Sequence, residues 1–268
     1  MTVATPPPVG NQDPGTTRAD TAVSTSSRLT RTLGILSLVG VVSLALMGLV
    51  VSPADVLQQD SVRLMYVHVP VSTWMYVGVL LCTLGSVMWL RKRTDGWDAL
   101  AAASAEIAAV LVGLSLVTGM VWGRPTWGVY WVWDARLTST AILFVLLLGY
   151  LALRRYPTDA ASRSRMSAVL GLLLLPNAAV IHYSVDWWRS LHQGPTIKRL
   201  DATIEGSMLF TLFLGFVVIG LVAAWLLVHR FRLAWLERRA EEHQLDAALA
   251  DRRADTDPSA GIVVEGAR

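Results

Sequence analysis

Cysteine is almost missing from this chain, and charge is scarce. The single thiol, Cys82, has no second cysteine to pair with, which excludes a disulfide-stapled secreted domain. Charged residues make up only 16% of the 268 positions against 53% hydrophobic ones, and the mean hydropathy is +0.48. That balance excludes a soluble enzyme and a disordered chain. No internal repeat is apparent either, so the inverted-repeat signature of many secondary transporters is lacking. What the chain does have is long stretches without charge. Uncharged or nearly uncharged runs occupy 33–51, 66–90, 99–122, 137–153, 166–185 and 206–228, each close to the roughly 20 residues that cross a bilayer as a helix. They predict an all-α polytopic membrane protein with six transmembrane helices.

A net charge of +3 invites a nucleic-acid reading, but in a membrane chain basic residues report topology. Seventeen of the 23 lie before the first run, after the second, after the fourth and after the sixth. The alternate loops hold only Arg63, Arg124, Arg136, Arg189, Lys198 and Arg199, beside six acids. The positive-inside rule then puts both termini in the cytoplasm (N-in/C-in) and leaves no role for nucleic acid.

Residues 1–30 are rich in Pro, Thr, Ser and Gly and are expected to form a disordered cytoplasmic tail. The first hydrophobic run has 19 residues, longer than a signal-peptide core, and no A-x-A site follows, so it is expected to stay as a span. The membrane domain is then 31–236. The remainder, 237–268, reads as a cytoplasmic C-terminal tail, helical through about 253 from its Arg, Glu, Ala and Leu content and frayed beyond.

Tryptophan is abundant and unevenly placed. Trp74, Trp122, Trp127, Trp131, Trp133, Trp187 and Trp188 fall towards the outer side, and Trp89, Trp97, Trp225 and Trp235 towards the inner. An aromatic belt populates both interfaces and does not by itself explain four tryptophans within twelve residues of one loop. Gly123, Pro125 and Gly128 are expected to interrupt helix there, presenting the rings from irregular or short helical backbone. Clustered flat rings suit a broad, planar, apolar ligand, with each indole N–H free to find an acceptor at the wet edge.

His68, at the outer mouth of the second run, and His192, in the last outer loop, face the same compartment as this loop. Each alone could simply bond a carbonyl. Together with an aromatic shelf, two neutral imidazoles are what the two axial positions of a haem iron require. His182 near the outer end of the fifth run is either a functional ionisable group or an interhelical hydrogen-bonding one, and Glu106 in the third is either an interhelical partner or a proton site. His229 and His243 lie on the cytoplasmic side. Arg63, Arg124, Arg136 and Arg189 are candidates for the propionates, since a guanidinium matches a carboxylate with two parallel donors. Arg136 is also two residues from Asp134 and could pair with it instead. Asp134 is expected to fix the loop through an arginine or backbone N–H groups.

The segment Trp127-Gly128-Val129-Tyr130-Trp131-Val132-Trp133-Asp134-Ala135-Arg136-Leu137-Thr138 resembles the WWD signature of haem-handling proteins of cytochrome c assembly, and within them the CcmC family. The resemblance extends over nearly all of 33–236. It includes Tyr66-Val67-His68-Val69-Pro70 and the stretch from Ile181 through Trp187-Trp188 to Leu191-His192-Gln193-Gly194. It implies that His68 and His192 are axial ligands of haem b, and that Trp122, Trp127, Tyr130, Trp131, Trp133, Asp134 and Arg136 form the haem-binding surface. The family usually has tryptophan where this chain has Tyr130. The resemblance further implies a non-enzymatic protein of the inner membrane that passes haem on the periplasmic side to the chaperone CcmE, alongside CcmA, CcmB and CcmD. A membrane cytochrome b is the rival reading, but its ligands usually lie deep in the bundle. The longer CcsA type has extra spans not visible here.

Overall fold

The computed structural model describes residues 25–192 and 204–256. Residues 1–24 of the tail expected over 1–30, Gln193, Gly194, Lys198, Arg199, Asp201 and the last twelve residues lie outside them; the rest of that expected tail is ordered, Ser27 capping the helix that begins at Arg28. Six helices are each long and apolar enough to cross a membrane, and among the described residues no strand forms beyond one isolated bridge between Asp55 and Gln59. They are α1 (Arg28–Leu46, continued by a π-helical turn at Met47–Val51), α2 (Met65–Lys92), α3 (Asp95–Trp127), α4 (Ala135–Arg154), α5 (Ala160–Trp187) and α6 (Gly206–Thr256). A 3-10 turn at Asp60–Leu64 leads into α2. Each of the six expected runs falls inside one helix.

The centre of the bundle is α2 packed on α3. Between helices in lipid the attraction comes from close van der Waals packing, so small residues mark the contact. Ala101, Ala105, Ala108 and Ala109 of α3 are buried there, with Val71, Val79 and Cys82 of α2. The backbones come close enough that a Cβ on Gly85 would lie 2.9 Å from the Ala101 nitrogen and the Trp97 carbonyl. Alpha-helix α1 stands at the edge against α6, most of its leucines and valines facing outward, as a lipid-facing helix requires.

Polar contacts lock the end that carries the basic residues. Arg154 of α4 makes two parallel bonds of 2.8 Å to the buried Asp98 of α3, and Arg238 of α6 reaches Asp95 at 3.2 Å and Ser164 of α5 at 3.3 Å. Glu106 pairs with Arg230 of α6, so it has the interhelical partner. His229 bonds Thr25 at 2.9 Å. Helix α6 passes unbroken through the expected boundary at 236 and, with 51 residues, is about 76 Å long, so its last turns project from the bundle as an exposed arm. With one end clamped, the other is left to open around a cavity.

Candidate functional site

At the tryptophan-bearing end the helices part around a cavity of about 780 Å³, inside the range of roughly 300–1,000 Å³ usual for cofactor sites. His68, His192, Trp122, Trp127, Trp131 and Arg136 all line it, with Tyr76, His182 and Phe216 among their neighbours. Tyr130, Trp133 and Asp134 do not. Trp133 is 82% exposed and meets Trp131 edge to face at 5.4 Å, while Tyr130, 59% exposed, lies under the Arg124 guanidinium at 5.7 Å.

His68 stands in the first turn of α2. Two residues on, Pro70 has no N–H to give the Tyr66 carbonyl, and α6 places Gly215 against that oxygen, leaving no room for a Cβ. The His68 ring leans on α3 instead. Its Nδ1 is 3.0 Å from the Thr118 hydroxyl, its edge meets Trp122 at 5.7 Å, and a Cβ on Gly119 would lie 3.0 Å from its Cε1.

The expected break at Gly123 and Pro125 does not occur. Helix α3 continues to Trp127 and ends at Gly128, whose φ of +81° is left-handed, a conformation glycine takes without the cost a Cβ imposes. Pro125 removes only one bond near the helix end, and the Thr126 hydroxyl donates to the Trp122 carbonyl at 2.8 Å. Trp122 and Trp127 are therefore held on a helix, and only 128–134 is irregular. The Trp122 indole N–H donates to Gln58 at 2.8 Å, latching the loop after α1 over the cavity. That loop is itself folded by Asp55, whose carboxylate accepts from the Leu57 and Gln58 amides and is held below its usual pKa by them, Gln58 first.

Asp134 caps α4, accepting from the Leu137 amide at 2.8 Å, and its other oxygen accepts from Ser190. Ser190 in turn accepts from the His192 amide at 3.1 Å. Asp134 thus ties the tryptophan loop to the segment that carries His192. The His192 ring lies 6.0 Å from Trp127, and its Nδ1 receives a bond of 3.1 Å from Arg136. The Arg136 guanidinium also donates to the His182 carbonyl and Ser184, across to α5 rather than to Asp134. Of the other expected arginines, Arg63 bonds Asp60 and the Gly48 carbonyl in the π-helical turn that continues α1, Arg124 bonds the Gly128 carbonyl, and Arg189 is exposed. None of these three lines the cavity.

Trp74, grouped with the outer tryptophans from its sequence position, lies within the bundle, donating to the Phe216 carbonyl at 2.8 Å and filling the space over Gly220. It lies more than two turns into α2. His182 lines the cavity beside Tyr76, at 6.1 Å. Thr118, Gln58 and Tyr76 were not anticipated. Thr118 and Trp122 stand four apart, so they share a helix face, and so do His68 and Tyr76 eight apart. Nothing in the sequence pattern marks Gln58.

A six-helix membrane protein with imidazoles and indoles around one end-on cavity is thus the class that fold and site define. The match to known families is specific. Residues 15–246 match the family model of heme exporter protein C, and the chain belongs to that family. It is 38% identical over 201 residues to the heme exporter protein C of Haemophilus influenzae, covering 72% of this chain and 79% of that protein. The Bradyrhizobium diazoefficiens protein of the same name is 38% identical over 72% and 74%. A putative cytochrome c biosynthesis ccmC-like mitochondrial protein of Arabidopsis thaliana is 38% identical over 62% of each chain. The chain is therefore a multi-pass membrane protein that handles haem in cytochrome c maturation, and not an enzyme.

Proposed function

We propose that the cavity is the haem site, that it opens on the periplasmic face of the inner membrane, and that the chain delivers haem b from it to the chaperone CcmE. The observation that carries this reading is the meeting of His68, from α2, and His192, from the segment after α5, at one cavity walled by Trp122, Trp127 and Trp131. The donor set suits the cargo: imidazole nitrogens for iron, indole faces for the porphyrin, and Arg136 for a propionate. Trp131 adds a buried indole N–H with no acceptor among the described residues, a group that ordinarily finds one. Trp133 backs Trp131 from outside. The excess of basic residues at the opposite end supports the periplasmic orientation. CcmA, CcmB and CcmD are the partners that family membership suggests for releasing the loaded chaperone.

The test is the pyridine haemochrome and Soret spectrum of the detergent-purified protein. Haem b is expected in the wild type, and His68→Ala and His192→Ala are expected to lose most of it at normal abundance. Retention of wild-type haem content and spectrum in both variants would overturn the ligand assignment.

A further inference from the structure

The hydroxyl of Thr118 has one proton, and its destination decides the state of His68. The nearest acceptor is the Leu114 carbonyl at 2.6 Å, an atom that only accepts. The Thr118 oxygen must therefore receive, not give, the hydrogen bond from His68 Nδ1 at 3.0 Å. A neutral imidazole carries one N–H. With that proton on Nδ1, Nε2 has the free lone pair that iron takes.

We infer that Thr118 is a positioning residue that sets His68 in the metal-accepting tautomer before haem arrives. Gly119 completes the seat, since a Cβ there would lie 3.0 Å from Cε1 and the ring would have to give by a few tenths of an ångström. The purpose of this arrangement rests on the haem reading above, but its geometry does not. His192 is held in the opposite sense, its Nδ1 accepting from Arg136, so of the two histidines His68 is the ligand that stands ready. Metal-bound histidines commonly give their second N–H to an oxygen in this way, and loss of such a partner lowers metal affinity by about 10- to 100-fold.

The experiment uses the full chain, labelled with 15N-histidine, haem-free in detergent at about pH 8, above the usual imidazole range. His68→Gln assigns the His68 signals. The expected result is a protonated Nδ1 in the wild type and in Thr118→Ser, with a mixed population in the near-isosteric Thr118→Val. Haem affinity should fall by about 10- to 100-fold in Thr118→Val, with a shifted Soret band, and Thr118→Ser should keep both near wild type. A His68 protonated on Nε2 in the wild type would overturn the inference. So would wild-type haem affinity and spectrum in Thr118→Val. A wild type that takes up no haem would instead overturn the proposed function, with the NMR still deciding the tautomer.

Discussion

Arg136 donates from Nη1 to Nδ1 of His192 across 3.1 Å, and its remaining nitrogens reach Ser184 and the His182 carbonyl. A guanidinium cannot accept, so the imidazole proton of neutral His192 belongs on Nε2. Iron ligation through Nε2 therefore requires this bond to break. Hydrogen bonds to charged groups contribute about 1.5–3 kcal/mol, enough to hold one tautomer. In 15N NMR the His192 signal should be of the Nε2–H type in the wild type and become mixed in Arg136→Met. An unchanged His192 signal in Arg136→Met would show that Arg136 does not set it.

Asp134 has two tasks on its two oxygens, the α4 cap and the Ser190 bond. Asp134→Ala should lose about 1 kcal/mol from the cap alone, seen as a lower Tm, and should also lower haem content because Ser190 and with it the His192 amide lose their tether. Asp134→Asn keeps a good capping group and should hold the Tm near wild type. Equal Tm in all three proteins would count against the cap.

Trp122→Phe keeps an aromatic ring in the cavity wall but removes the N–H that binds Gln58. A bond worth about 1 kcal/mol corresponds to roughly a fivefold change in an opening equilibrium. Amide hydrogen exchange over residues 53–59 should accelerate by about that factor, with exchange in α2 and α3 unchanged. No acceleration would mean that the loop is held by its Asp55 turn alone.

Gly215→Ala should be costly because its Cβ would collide with the Tyr66 carbonyl, and overpacking of this kind costs about 1–3 kcal/mol. The shift falls two residues from His68, so reduced haem binding should accompany the lower Tm. Gly206→Ala, with nothing within 4 Å of the added carbon, serves as the control and should leave both near wild type.

The spans were legible because each is a run of about 20 residues without charge, and lipid tolerates little else. His68 and His192 stood out as candidates because histidine is rare in this chain and both fall on the side of the tryptophan loop, one before α2 has completed its first turn and one after α5 has ended. The path of α3 was not. Gly123 and Pro125 read as breakers, yet a proline in the last turn sacrifices one bond, and the neighbouring Thr126 hydroxyl binds the Trp122 carbonyl. Trp74 misled for a related reason: position along a helix gives depth, but only the neighbour, here Gly220, decides whether an indole goes inward.

Residue order alone dictated six helices and pointed to one end for His68, His192 and the tryptophan loop, since hydropathy and charge act locally along a chain. Which indoles turn into the cavity, which arginine enters it and which nitrogen of each imidazole holds its proton came from contacts between distant segments: Thr118 against His68, Arg136 against His192, Asp134 against Ser190. A hydrogen bond fixes direction only when both partners are in place, and the helix packing put them there.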